Sequence, residues 1–287
     1  MTTHPVKGID HCFALVNDLD AAAEQYAALG FTLSPRGAHS EAKGTANYTI
    51  MFPEDYFELL GILKPTELNA ARRATLDKVG EGLHAIACRI DDAEAAAAAL
   101  AELGLKTEGL GSFSRPVPLP DGTEGDAAFS TVSFVASEVP RGMVFMCQHK
   151  TRETVWIPEL LNHANTACGL GAILAISDEP AADAAGFAKL WAAGAVSDEG
   201  EVCTVTTGPN SAPLILMTPA AMAAAYPGAD LSATAQGAFT VLRIKVADAE
   251  AAKACLAKAG ITPLATAAGF AAGPEHAGGV IVEFVPA

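Results

Sequence analysis

Short apolar runs, each followed by an Asp, an Ala-rich stretch and a Gly, recur four times along the chain. The segments are GIDHCFALVNDLDAAAEQYAALGF (8–31), GLHAIACRIDDAEAAAAALAELGL (82–105), GLGAILAISDEPAADAAGFAKLWAAG (169–194) and GAFTVLRIKVADAEAAKACLAKAGI (237–261). The Asp-to-Gly spacing is 12 residues in the first, second and fourth copies. It is 16 in the third, where the segment is lengthened around Pro180. The apolar run reads as a strand, the Asp as a helix N-cap and the Gly as the left-handed residue closing the helix. A repeat of this kind constrains the fold before any local assignment does.

Within the first copy, residues 9–16 are strand-like, Asp18 caps a helix over 21–29, and 31–34 suits a second strand. Residues 48–52 and 56–62 read as further strands, joined by a turn at Pro53, Glu54 and Asp55. The second copy closes with strands over 130–135 and 143–147, and its Pro- and Gly-rich stretch 113–125 reads as a loop over an opening. Residues 150–166 are irregular, with a short helical stretch near 158–162. Strands over 202–206 and 214–217 end the third copy, a short helix follows over 219–226, and 279–285 ends the fourth. The pattern predicts an α+β fold of four βαβββ modules. They pair into two cup-shaped, mostly antiparallel sheets with helices outside. Residues 1–150 form the N-terminal paired-module domain, 151–167 a connector, and 168–287 a C-terminal paired-module domain of structural role.

A length of 287 residues fits two domains. With 51% hydrophobic and 18% charged residues, the chain has ample core and is not disordered. A net charge of −15 repels nucleic acid and anionic membranes, so neither is expected as a partner. The six cysteines form no CxxC pair and read as free thiols in a reducing compartment. The start, MTTHPVKGID, lacks a signal-peptide apolar core, and no apolar run reaches the length of a membrane span. A soluble cytoplasmic protein is expected, and the Ala and Gly richness suggests a bacterial source. No GxGxxG after a strand, P-loop, HExxH or GxSxG is present.

Four segments carry a resemblance to a known family: IDHCFALVNDLDAA (9–22), GAHSEAKGTANYTI (37–50), YFELLGI (56–62) and FMCQHKTRETVWIPELLNHAN (145–165). The chain resembles the vicinal oxygen chelate superfamily, which includes glyoxalase I, extradiol dioxygenases and fosfomycin-resistance proteins. It is most similar to the glyoxalase-like subfamily. The resemblance covers the whole chain as four modules and is most specific over 8–62 and 141–166. It implies two cups of strands, one of which holds a divalent metal that binds vicinal oxygens of a substrate.

His11 lies on the first strand, and alternation puts Phe13 and Leu15 on its face. Glu58 sits mid-strand in YFELLGI, where a carboxylate is costly unless partnered. An imidazole nitrogen and a carboxylate oxygen suit Fe, Zn, Ni or Mn, and both positions match ligand positions of the family. A His–Glu pair without metal is the alternative. Counted from the opening Gly of each copy, Ala85, Gly171 and Val241 stand where His11 does, and His84 falls one residue early. His149 is the candidate third ligand. Counting from Gly142 as from Gly279 puts Gln148 on the inward face instead, unless a bulge intervenes. His39 and Asn47 flank a turn at Gly44 and are placed at the cup mouth, His39 for proton transfer and Asn47 for substrate orientation. Arg115 could clamp an anionic substrate, and Gln148 could contact it. In the fourth copy Glu283 repeats Glu58, but Arg243 lies on its face and an ion pair is expected.

The expected function is that of a metal-dependent enzyme of glyoxalase-like type, with isomerase or lyase chemistry on a small substrate bearing vicinal oxygens. Glu58 or His39 would be the base. An Fe(II)-dependent extradiol-type dioxygenase and a non-catalytic small-molecule binding or sequestering protein are the alternatives. A homodimer is possible.

Overall fold

The computed structural model describes residues 2–119 and 122–287. The first sheet contains β1 (Ile9–Val16), β2 (Gly37–Ala38), β3 (Thr45–Met51), β4 (Tyr56–Ile62), β5 (Gly82–Arg89), β6 (Thr107–Pro118), β7 (Glu124–Phe134) and β8 (Met143–His149). Helices α1 (Leu19–Ala28), α2 (Ala70–Val79) and α3 (Ala93–Glu102) belong to this half. The second sheet contains β9 (Ala167–Ile176), β10 (Ala195–Asp198), β11 (Val202–Thr206), β12 (Leu214–Met217), β13 (Val241–Val246), β14 (Leu264–Ala265), β15 (Phe270–Ala272) and β16 (Ile281–Pro286). Helices α4 (Pro180–Ala188), α5 (Pro219–Ala225) and α6 (Ala249–Lys258) accompany it.

The strand orders are β2-β3-β4-β1-β5-β8-β7-β6 and β10-β11-β12-β9-β13-β16-β15-β14. The second is the first displaced by eight strands, so the sequence repeat is a repeat of topology. The first strand of each module pairs in parallel with its last, as β1 does with β4, and β1 meets β5 antiparallel at the junction between modules. The helix ends follow the repeated residues. The side chains of Asp18, Asp92 and Asp248 accept from first-turn amides, and Gly30, Gly104 and Gly260 follow the helices with positive φ. In the third copy Pro180 starts the helix without a side-chain cap.

One continuous core joins the helices to the outer faces of both sheets. Tyr26 of α1 is fully buried there, and its hydroxyl donates to the Ala277 carbonyl in the other half. The halves also meet where Asp55 accepts from the Leu170 amide at 3.0 Å. The inner faces differ. The second cup is filled by Met222 and Tyr226 beside α5, packed on Ala172, Leu174, Val241 and Ile281. Tyr226 donates to Glu283 at 2.8 Å, and the Arg243–Glu283 ion pair closes at 2.6 Å, as the sequence suggested. The first cup keeps a cavity of about 560 Å³.

Several local expectations are corrected. Residues 31–34 form no strand; Pro35 lacks an amide, and the short β2 replaces the expected strand. The stretch 113–125 is not a loop as far as it is described, its residues 120 and 121 lying outside the described residues. Most of it belongs to the long β6–β7 hairpin, with Phe113 opposite Phe129 and Arg115 opposite Ala127. Pro116 and Pro118 are tolerated there because β6 is an edge strand. Helix α2 was not foreseen; none of its residues is fully buried, and it lacks a strong apolar stripe. Inward residues of β9 are Ala172 and Leu174 rather than Gly171.

Candidate functional site

The floor of the open cup is β1, β4 and β8. His11 and Phe13 of β1, Tyr56, Glu58 and Leu60 of β4, and Phe145 and Cys147 of β8 all line the cavity. His11 is buried and stacks on Tyr56 with centroids 4.2 Å apart. Its Nε2 faces Glu58 Oε2 at 3.9 Å, beyond hydrogen-bond reach. Glu58 Oε1 accepts from Asn47 Nδ2 at 2.9 Å. One imidazole nitrogen and one carboxylate oxygen are thereby left facing each other over the cavity.

A bulge in β1 places a further carboxylate behind His11. The pairing with β5 runs Ile9 to Cys88 and then His11 to Ala87, so Asp10 is the extra residue. Its carboxylate accepts from His11 Nδ1 at 2.8 Å and from His149 Nε2 at 2.9 Å, with Arg89 Nε 3.7 Å away. Burial alone would raise the Asp10 pKa. The two histidine hydrogen bonds outweigh that and hold the carboxyl well below the usual range. The Asp10 bond fixes His11 Nδ1 as the protonated nitrogen and leaves Nε2 as the lone-pair atom.

The third-ligand expectation is corrected in its details. Met143, Phe145 and Cys147 face the cavity, so His149 shares the inward parity and Gln148 does not. Gln148 Oε1 accepts from the Ala93 amide at the start of α3 and serves as part of that helix end. The count failed because β5 pairs Ala85 with Met143, whereas β13 pairs Val241 with Ile281. The matching residue to Glu283 is therefore Phe145, and the turn before β16 is one residue longer. His149 lies in a nest with Phe129 and Trp156, each 5.0 Å away between centroids, and turns Nε2 to Asp10 rather than to Glu58. It is absent from the cavity lining, and its buried Nδ1 has no partner among the described residues. Asp10, Cys147 and His149 each bring one ligand atom within 4.8 Å of the others. Burial pushes the Cys147 thiol well up, so it is not a thiolate there.

The walls carry cations. Arg115, buried in β6, lines the cavity opposite the floor, and a side chain at Gly37 would strike Asn47 and Arg115. Lys43 lies 3.2 Å over the Phe113 ring and lines the same space, as does Arg72 of α2. Burial, with Arg72 nearby, lowers the Lys43 pKa to about 8. His39 also lines the cavity, with Nδ1 2.8 Å from Thr45 Oγ1. Burial lowers its pKa to about 4, so its ring is neutral at pH 7. His84 faces away from this cavity, its Nε2 on the Gly80 carbonyl.

Sequence reasoning missed Asp10 and Arg72. Asp10 could have been found from the Asp-His dipeptide in an otherwise apolar strand, since a bulge lets both side chains turn the same way. Nothing in the sequence singled out Arg72, because the helix carrying it went unrecognised.

Among solved structures, a hypothetical protein from Staphylococcus aureus is similar over 97% of this chain and 99% of its own, with 15% identity and TM-score 0.68. A variant of homoprotocatechuate 2,3-dioxygenase from B. fuscum matches 99% of this chain and 72% of its own, with 14% identity and TM-score 0.56. A mutant of 4-hydroxymandelate synthase from Streptomyces coelicolor matches 91% and 77%, with 16% identity and TM-score 0.55. At such identities the likeness is one of fold. No match was found among curated proteins. The glyoxalase-like domain family matches residues 9–192. With the repeated modules, the two cups and this match over more than half its length, the chain belongs to the glyoxalase-like domain family of the vicinal oxygen chelate superfamily.

Proposed function

We propose that this chain is an enzyme that moves a proton on the carbon beside two neighbouring oxygens of a small anionic substrate, in isomerase or lyase chemistry. The observation that carries this reading is the pair of free donors, His11 Nε2 and Glu58 Oε2, facing each other at 3.9 Å over a cavity lined by Lys43, Arg72 and Arg115.

The donor set fits a divalent ion held by His11 and Glu58. The Asp10 carboxylate on the far nitrogen of His11 is the partner that metal-ligating histidines commonly have. His11 Nε2 and Glu58 Oε2, 3.9 Å apart, are the atoms that would hold the ion. Such an ion would polarise the substrate oxygens and make the adjacent C–H more acidic. The residues do the rest. Asn47 holds one oxygen of Glu58 and leaves the other free to bind the ion beside His11. His39, neutral at pH 7 and lining the cavity, is the group left to accept the proton, and Lys43, Arg72 and Arg115 bind the substrate's negative charge.

The extradiol dioxygenase reading has less support, because His149 Nε2 is engaged by Asp10. The test is deuterium exchange from solvent into a panel of small α-hydroxycarbonyl compounds and 2-oxo acids, followed by NMR with zinc, iron, nickel or manganese present. Exchange that requires both His11 and Glu58 is expected. Binding without exchange across the panel overturns the enzymatic reading in favour of a sequestering protein, and oxygen uptake with a diol would restore the oxygenase.

A further inference from the structure

A second compartment of about 290 Å³ lies beside the first, under α2. It is lined by Leu15, Val79 and Ala238 among others, and Phe13, Arg72 and Met143 line both spaces. It is a partly open pocket, not a closed void, and most of its lining is apolar. The helix above it has no fully buried residue, although Asn69 pins its start to the Lys43 and Lys64 carbonyls at 2.9 and 2.8 Å. At the boundary stands Arg72, whose Nε is buried with no hydrogen-bond partner among the described residues. A buried guanidinium nitrogen without a partner is costly, and an anion supplied by a ligand would remove that cost.

We infer that the substrate is an anionic molecule with an apolar tail: the charged head sits in the first cup against Arg72, and the tail runs under α2 into the second compartment. Resting on the reading above for the head group's chemistry, this names the rest of the molecule. The polar end has Lys43 and Arg115 as further cations, while the tail end offers mostly carbon, with Thr75 and His84 its polar side chains besides Arg72. A neutral or purely polar substrate would leave the second compartment empty and the Arg72 Nε unpaired.

Calorimetry with straight-chain carboxylates from acetate to octanoate tests this without any turnover. Affinity is expected to rise about fourfold per methylene until the compartment is full, the increment of burying one such group. The matching alcohols are expected to bind at least tenfold more weakly, and Arg72→Met is expected to narrow that difference at least threefold. Val79→Trp and Leu15→Phe fill the compartment from two sides; either one with parental thermal unfolding is expected to cut the octanoate-to-butanoate affinity ratio at least tenfold, leaving butanoate unchanged. His11→Ala is expected to keep the chain-length slope, which separates this inference from the proton-transfer chemistry. Affinity independent of chain length in the parent protein, or a slope untouched by both filling variants, overturns it.

Discussion

Asp10→Asn removes the charge at the centre of the His11–Asp10–His149 chain while keeping size and shape. The parent carboxylate is 1% exposed and accepts two ring N–H groups at 2.8 and 2.9 Å. Both ring N–H groups end on the same oxygen, Oδ2, so an asparagine carbonyl placed there still accepts both but without the charge, while its N–H₂ takes the place of Oδ1 beside Arg89 Nε. A hydrogen bond to a charged group contributes about 1.5–3 kcal/mol against about 0.5–1.5 kcal/mol for a neutral one, so each of the two bonds is weakened by about 1–1.5 kcal/mol. A cost of about 3 kcal/mol is expected, which for a protein of this size lowers Tm by roughly 6–12 °C. The pH dependence fixes the cause. Asp10 has its folded pKa below the unfolded value, so its contribution is present above about pH 4 and is lost as pH falls toward the folded value. The gap in Tm between parent and variant is therefore expected to hold from pH 5 to 8 and to shrink below pH 4. Thermal unfolding followed by circular dichroism across that range is the assay. A variant within 2 °C of the parent at pH 7, or a gap that widens in acid, would refute the assigned role of Asp10.

Glu58→Gln keeps an acceptor for Asn47 but removes the carboxylate that would hold the ion, so catalysed exchange is expected to drop at least about 100-fold with little change in Tm. Asp55 is buried against the Leu170 amide, and its pKa is raised to about 7, chiefly by burial. A carboxyl with a raised folded pKa stabilises most below its unfolded value and loses that contribution as pH climbs to about 7, by at most about 4 kcal/mol. Asp55→Asn is expected to flatten the fall in Tm of the parent between pH 4 and 8; an unchanged slope would count against it. Tyr226→Phe deletes the buried hydroxyl on Glu283 in the filled cup and is expected to cost about 2 kcal/mol of stability in denaturant unfolding, with exchange activity unchanged.

The repeat was legible because each copy carries its own local signals. Asp18, Asp92 and Asp248 cap their helices, and Gly30, Gly104 and Gly260 close them, without help from tertiary contacts. His11 and Glu58 were legible for a related reason: polar residues inside apolar strands must face something that satisfies them. What escaped was whatever depended on register. A single extra residue in β1 brought Asp10 to the side of His11, and a turn one residue longer before β16 reversed the inward facing that the count gave to Gln148 over His149. Arg72 escaped because α2 is stabilised by the Asn69 anchor and by the cup beneath it rather than by its own apolar pattern.

The central claim is that His11 and Glu58 together hold a divalent ion over the cavity floor. Metal content and zinc affinity of the parent protein, His11→Ala, Glu58→Gln and the surface variant His276→Ala test it most directly. The expected result is one ion per chain in the parent and in His276→Ala, with affinity at least tenfold lower in each of the other two. A parent protein that takes up no ion, or a His11→Ala protein that binds it as tightly as the parent, would contradict the claim.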